Sequence, residues 1–105
     1  MISIVYTTTE NEGEAKRIAS SLIEHKLAAC INMHPIDSLY MWEGKVQYDK
    51  EVALSIKTTS CKVDQVTEHI RIMHSYELPA IIAWKIEGEK EYLEWIARSV
   101  GIEPK

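Results

Sequence analysis

The chain has 105 residues, 46% of them apolar, with 16 acidic against 12 basic side chains for a net charge of −4. That length holds one core and leaves no room for a second, so residues 1–105 are read as a single domain. Lys and Arg are scattered along a mildly acidic chain and no stretch reaches membrane-spanning length, so neither nucleic acid nor a membrane is an expected partner.

Ile2, Ile4 and Tyr6 alternate with Ser3, Val5 and Thr7, which predicts a short, largely buried strand that ends in the polar run Thr7-Thr8-Thr9. Asn11 followed by Glu14 fits a capping arrangement, and Ala15, Ile18, Ala19, Leu22 and Ile23 then recur at helical spacing. The other face of that helix carries Glu14, Lys16, Arg17, Ser20, Ser21 and Glu24 and is expected to meet water.

From Ala28 to Thr58 the chain reads as strand, turn, strand, with Glu43-Gly44 at the turn. Arms of about fourteen residues would extend about 45 Å. A domain of this size has a radius of gyration near 13 Å, roughly. Either the arms bend, for which Pro35 is suited because it cannot donate to a ladder, or the tip leaves its own domain. Tyr40, Met41 and Trp42 lie near that tip and would be costly to leave in water, which points to packing on another copy of the chain. Beyond the tip, Val46, Tyr48, Val52, Leu54 and Ile56 hold alternate positions. Lys50 interrupts them and marks either a bulge or the point where the strand leaves the domain.

Thr58-Thr59-Ser60 supplies candidate N-caps for a second helix, in which Val63, Val66, Ile70 and Met73 follow at helical spacing. His74-Ser75-Tyr76-Glu77-Leu78-Pro79 is a connection. Ala80 to Ile86 is nearly all apolar and reads as a central or doubly covered strand ended by Gly88. Tyr92, Leu93, Ile96 and Val100 make a last amphipathic helix, with Gly101 at its C-terminus and Pro104 beyond. Two right-handed βαβ crossovers joined by a hairpin give an α+β fold, the ferredoxin-like βαββαβ sandwich, here with a long hairpin between its second and third strands and a C-terminal helix. Both central helices then cover one sheet face. The other face is left bare with enough apolar and aromatic side chains to favour a partner.

Five ordered stretches carry a resemblance: Lys26-Leu27-Ala28-Ala29-Cys30-Ile31-Asn32, Ser38-Leu39-Tyr40-Met41-Trp42-Glu43-Gly44-Lys45, Ile56-Lys57-Thr58-Thr59, His74-Ser75-Tyr76-Glu77-Leu78-Pro79 and Tyr92-Leu93-Glu94-Trp95-Ile96. Together they resemble the CutA divalent-cation tolerance proteins over almost the whole chain. The resemblance implies a ferredoxin-like fold, a homotrimer similar to the PII signalling proteins, and a cytosolic role in tolerance of copper and other divalent metals. Some members carry a His pair followed by Pro-Tyr after the second helix, with a Cys near the end of the first strand. Here Met73-His74-Ser75 and Tyr6 stand at those places.

As metal ligands the sequence offers His74, at the close of a helix, and Cys30, in a strand; a thioether such as Met73 beside an imidazole also suits Cu(I). Each has a plainer role open to it, a helix C-terminal partner for His74 and a small core hydrophobe for Cys30. Cys61 and His34 are read as surface or interface residues, and His25 and His69 as solvated. Tyr40, Trp42, Glu51, Lys57, Tyr76 and Glu77 are expected to converge in a cleft between subunits, where mixed charge and aromatic walls suit a small molecule or an anion, or else an interfacial salt bridge.

Gly13, Gly44, Gly88 and Gly101 are too far apart for a P-loop or a dinucleotide fingerprint, and GxSxG and HExxH are missing. A non-enzymatic protein without an organic cofactor is therefore expected, with only a dyad assembled across subunits left open. RNA-recognition modules share this strand order, but the chain has no Phe and no RNP-like motif. Cys30 and Cys61 form neither CxxC nor a finger spacing, and no apolar run with a basic flank opens the chain. A reducing cytosol with free thiols is the expected setting.

Overall fold

Alternation along the first strand decides how the sheet is covered. In the computed structural model, which describes residues 1–102, β1 (Ile2–Thr9) turns Ser3, Val5, Thr7 and Thr9 toward the helices, and all four are buried. The strand therefore runs through the threonines instead of ending at them. Thr9 Oγ1 donates to the Val52 carbonyl at 2.8 Å, which removes the cost of burying that hydroxyl.

Helix α1 (Glu12–Glu24) starts at Asn11, whose Oδ1 accepts from the Glu14 N–H at 2.8 Å. It ends in a Schellman motif: Lys26 takes positive φ (55°), its N–H reaches the Ile23 carbonyl, and the Leu27 N–H reaches Leu22. The chain then forms β2 (Cys30–Trp42), β3 (Lys45–Thr59), a 3-10 turn at Ser60–Lys62, α2 (Val63–Met73), β4 (Ile81–Ile86) and α3 (Lys90–Ser99). Thr58 and Thr59 stay in β3, and α2 is entered through the 3-10 turn without a side-chain cap. Gly101 (φ 81°) closes α3 in a second Schellman motif, and Pro104 lies outside the described residues.

The four strands form one antiparallel sheet in the order β2-β3-β1-β4. Val5, Leu54 and Ile56 on one face pack with Ala15, Ile18 and Leu22 of α1 and Val66 and Ile70 of α2. The opposite face is not wholly bare, because α3 lays Leu93, Ile96 and Ala97 over Ile2, Ala29 and Ile86 at one end. The βαββαβ order, two helices on one face and a third on the other, is the ferredoxin-like fold with a C-terminal helix.

β4 is an edge strand, not a central one. Its apolar run sits against β1 on one side only, and Ile82 and Trp84 are 58% and 46% exposed. Within the chain, the apolar run is therefore covered on part of its surface only.

The hairpin leaves the domain. β1 pairs with β3 only as far as Thr9 with Val52, while β2 and β3 stay in register to Trp42 with Lys45. The molecule measures 49 × 24 × 21 Å as a result. Lys50 lies just past the last β1 pair and the register continues through it opposite Asp37, so it marks the exit and not a bulge. Pro35 does not bend the arm; β2 is an edge strand, where a missing N–H costs no ladder bond. Outside the domain the arms are tied by side chains: Tyr48 Oη and Lys50 Nζ both donate to Asp37 Oδ1, and Tyr40 Oη donates to Asp49. Those bonds hold the Asp37 carboxyl below its usual range, the Tyr48 hydroxyl first and Lys50 second.

At the tip Glu43 (φ 51°) and Gly44 (φ 77°) are both left-handed, as a type I′ turn requires. Glutamate is a poor residue for the first of these positions. Glu43→Asn is expected to raise stability by about 0.5 kcal/mol, read as a small upward shift in thermal midpoint; an unchanged or lower midpoint would mean that Glu43 has a partner outside its own chain.

Candidate functional site

Where the hairpin leaves the domain, a cleft of about 520 Å3 opens, lined by Thr8, Ser38, Leu39, Tyr40, Trp42, Glu51, Tyr76, Glu77, Leu78 and Ala80. Three parts of the chain meet there. The even-numbered residues of β2 supply Ser38, Tyr40 and Trp42 on the sheet face away from α1 and α2, and Glu51 joins them from β3 opposite Ile36. Leu39 of β2 is also in the lining, Thr8 comes from β1, and the connection after α2 supplies Tyr76, Glu77, Leu78 and Ala80.

That connection is fixed by a chain of buried polar contacts. The His74 side chain is fully buried; its Nε2 lies 2.7 Å from the Thr8 carbonyl, to which it must donate, and its Nδ1 accepts from the Tyr76 N–H at 3.1 Å. The two bonds set the Nε2–H tautomer. Glu14, placed on the water-facing side of α1 by sequence, is buried: Oε1 accepts from the Glu10 N–H at 3.0 Å and Oε2 from the Ser75 N–H at 2.7 Å. Burial pushes its carboxyl upward, but the bonds from Glu10 and Ser75 and the nearby His74 ring outweigh it, and the net shift is downward. Tyr76 then packs against His74 with the rings tilted by 45° and their centroids 4.8 Å apart, and donates its hydroxyl to Glu51 Oε2 at 2.7 Å. Burial first, then the Glu51 bond and the field of Glu51, Glu10 and Glu14, raise the Tyr76 phenol far above its ordinary value.

Five of the six residues expected in a cleft line this one: Tyr40, Trp42, Glu51, Tyr76 and Glu77. Lys57 is not part of the lining that this chain supplies. Lys57 lies six residues from Glu51 along β3, about 20 Å away. There its Nζ donates to Tyr92 Oη of α3 at 3.2 Å and lies 5.4 Å from the centre of that ring. Thr8, Ser38, Leu39, Leu78 and Ala80 complete the lining; Ser38, Leu39 and Leu78 lie in the stretches that carry the resemblance but were not singled out as cleft residues, and no motif contained Thr8 or Ala80. Glu14 was legible in part, since an acidic residue three positions after an N-cap is a capping-box signal.

The two candidate metal ligands are apart. Cys30 pairs with Lys57 at the α3 end of the sheet, while His74 binds Thr8 at the hairpin end. Both His74 ring nitrogens are taken by backbone groups, so the ring has no lone pair to offer without losing a bond. Among the described residues, no group of three or more His, Cys, Asp and Glu side chains could hold a metal ion. The residues therefore do not form a ready-made metal centre within one chain. His25, read as solvated, is exposed, while His69, read the same way, is half-buried; the two rings pair at 5.0 Å around Ser21, His25 Nδ1 donating to its carbonyl and His69 Nε2 bonding its hydroxyl. Burial, and then His25, lowers the His69 pKa. No described helix is long and apolar enough to cross a membrane.

The sequence model of the family described as CutA1 divalent ion tolerance protein matches residues 3–99. The divalent-cation tolerance protein CutA of Archaeoglobus fulgidus is 46% identical over 101 residues, which cover 95% of this chain and 99% of the relative. The chloroplastic protein CutA 1 of Oryza sativa is 48% identical over 98 residues, 91% of this chain and 55% of the relative. The chain thus spans about half the length of the chloroplastic plant relatives that it matches. A solved structure, that of the periplasmic divalent cation tolerance protein CutA from Archaeoglobus fulgidus, superposes with a TM-score of 0.93 at 44% identity, covering 95% of this chain and 99% of that one. With a family match across nearly its whole length and relatives at this level of identity, the chain belongs to the CutA1 divalent ion tolerance family.

Proposed function

We propose that this protein is a non-catalytic homotrimer that serves divalent-cation tolerance, copper above all, by binding the ion weakly or transiently in the cytosol. The observation that carries the assembly is the unpartnered apolar surface. Leu39, Met41 and Val46 on the projecting hairpin are at least 65% exposed, and β4 presents Ile82 and Trp84 beside an open edge. Apolar area of that extent on two separate edges suits head-to-tail contact between copies, which closes into a ring. Relatives named for divalent-cation tolerance support the role. Two cysteines that form no disulfide, Cys30 and Cys61, support a reducing compartment.

Cys30 and His74 are the candidate ligands. His74 would give up a hydrogen bond to bind, and that cost is a physical reason for weak affinity. Reduced protein titrated with Cu(I) against a competing chelator is expected to bind in the micromolar range or weaker, and both Cys30→Ser and His74→Ala should lower the affinity. Affinities equal to wild type in both variants, with circular dichroism showing both folded, would remove these residues from the site.

The cleft favours a second reading, a PII-like trimeric signalling or scaffold protein that takes a small molecule or a protein partner there. Its volume lies within the ordinary range of ligand pockets, roughly 300–1,000 Å3.

A further inference from the structure

We propose that His25 and His69, brought together on the outer side of the two central helices, form a two-histidine site for a divalent transition-metal ion that favours imidazole, Zn(II), Ni(II) or Cu(II). The site goes beyond the proposed function, which uses Cys30 and His74, and depends on neither of them.

Helix packing makes the pair. His25 is the C-cap of α1 and His69 lies in α2. Ile18 and Leu22 of the first helix meet Val66 and Ile70 of the second in one buried cluster, which fixes the two backbones relative to each other and sets the rings 5.0 Å apart, centre to centre. Two imidazoles bound side by side on one ion, at metal–nitrogen distances of about 2.0–2.1 Å, hold their ring centres roughly 4.5–5.3 Å apart. The helices therefore already stand at the separation that a shared ion requires. The pair is also reachable, since His25 is exposed and His69 half-buried. It stays open in the proposed assembly, because α1 and α2 cover the sheet face opposite the one that carries Ile82 and Trp84.

Ser21 anchors both rings and leaves a nitrogen free on each. Its carbonyl accepts from His25 Nδ1 at 2.8 Å, and its hydroxyl lies 2.7 Å from His69 Nε2. With that hydroxyl accepting from Nε2–H, the lone pairs left over are those of His25 Nε2 and His69 Nδ1, and neither bonds another group among the described residues. A metal-bound histidine characteristically donates its other ring N–H to a carbonyl or a similar oxygen, which fixes the tautomer and raises the basicity of the ligating nitrogen. Here one residue does this for both rings. His74 lacks such an arrangement, since backbone groups occupy both of its nitrogens. Two imidazoles are fewer side chains than a closed metal centre uses, so water completes the set and exchange is fast. Calcium and magnesium, which take oxygen ligands, gain nothing from the pair.

Zinc, nickel and calcium chlorides, titrated calorimetrically into the full chain in its native assembly, test the site. Zn(II) and Ni(II) are expected to bind and Ca(II) to give no heat. Proton–nitrogen correlation spectra of the imidazoles report the location: Zn(II) should shift His25 Nε2 and His69 Nδ1, and Cys30→Ser and His74→Ala should leave those shifts unchanged. Ser21→Ala should weaken Zn(II) about tenfold through the lost bond to His69, and Ser21→Thr, which keeps the hydroxyl, should restore most of it. His25→Ala and His69→Ala should each weaken it more than Ser21→Ala does, with circular dichroism showing both variants folded. A loss in only one of the two histidine variants reduces the pair to a single surface imidazole and overturns the proposal. Zn(II) binding that both variants retain overturns it too, and if Cys30→Ser or His74→Ala then abolishes that binding, the proposed function keeps its metal site while this one is struck. If neither Zn(II) nor Ni(II) binds, the two-histidine site falls, and the Cu(I) titration still decides for Cys30 and His74.

Discussion

Ile82→Lys combined with Trp84→Glu is expected to convert the protein into a particle of one third the wild-type mass by sedimentation at micromolar concentration. Both residues lie on β4, one opposite Tyr6 and the other opposite Ile4, on the sheet face away from α1 and α2. Within the chain they are half-exposed and touch neither buried core cluster, so the substitutions cost the monomer little. In an assembly that covers this face they put two charges into apolar contact, at a cost of several kcal/mol per interface, roughly. A ring repeats the same interface at every junction, so the penalty falls on each contact at once. A trimer that keeps its mass with both charges in place would show that β4 faces water and that the hairpin finds its partner elsewhere. The wild-type thermal midpoint should fall as the protein is diluted, because a trimer's midpoint depends on chain concentration, while that of the monomeric double variant should not change.

Sequence reasoning reached this surface by a length argument and a cost argument, and both used properties that alternation makes visible. Glu43-Gly44 located the turn, and counting residues on either side showed that the arms outrun the domain. The helical stripe from Ala15 to Ile23 placed α1, and both helix ends with positive φ follow local rules. Other features depended on neighbours distant in sequence. β4 looked central because its run is apolar on both faces, and only the strand order shows that it is an edge. Glu14 looked solvated because its helix-wheel position is polar; its burial comes from Ser75, 61 residues away. Lys57 was grouped with Glu51 on the expectation that one chain's hairpin tip reaches another chain's sheet edge; within the chain it bonds Tyr92 of α3. The cleft was legible as a set of residue types, aromatic and acidic near the hairpin root, while Lys57 has no place in it within the chain, because strand spacing alone sets it about 20 Å from Glu51.

Glu14→Ala is expected to lower stability by about 3 kcal/mol at neutral pH and to loosen the connection that carries Tyr76 and Glu77. The carboxylate accepts from the Glu10 and Ser75 N–H groups with its two separate oxygens, and removing it takes the shared acceptor from both and leaves a gap where the buried Glu14 side chain had been. It also removes the group 3.9 Å from His74 Nδ1. Glu14→Gln keeps the shape but offers one accepting oxygen, and its amide N–H2 faces a donor, so it should recover less than half of the loss. The pH dependence identifies the mechanism. Glu14 is held below its ordinary value of 4.5 in the folded protein. A depressed carboxyl contributes stability that is fully present above the unfolded value and is lost as the pH falls through the folded one. Wild type should therefore lose stability toward the variants below about pH 4.5, and the difference between wild type and Glu14→Gln should shrink on the acid side. Chemical unfolding at fixed chain concentration, repeated from pH 7 to pH 3, measures this directly. A difference that stays constant across that range would assign the effect to packing alone and detach Glu14 from the charge-assisted lock on Ser75. If the lock operates, hydrogen exchange at Ser75 and Tyr76 should also speed up in Glu14→Ala while the β1 and β3 amides stay protected, because opening this connection need not open the sheet.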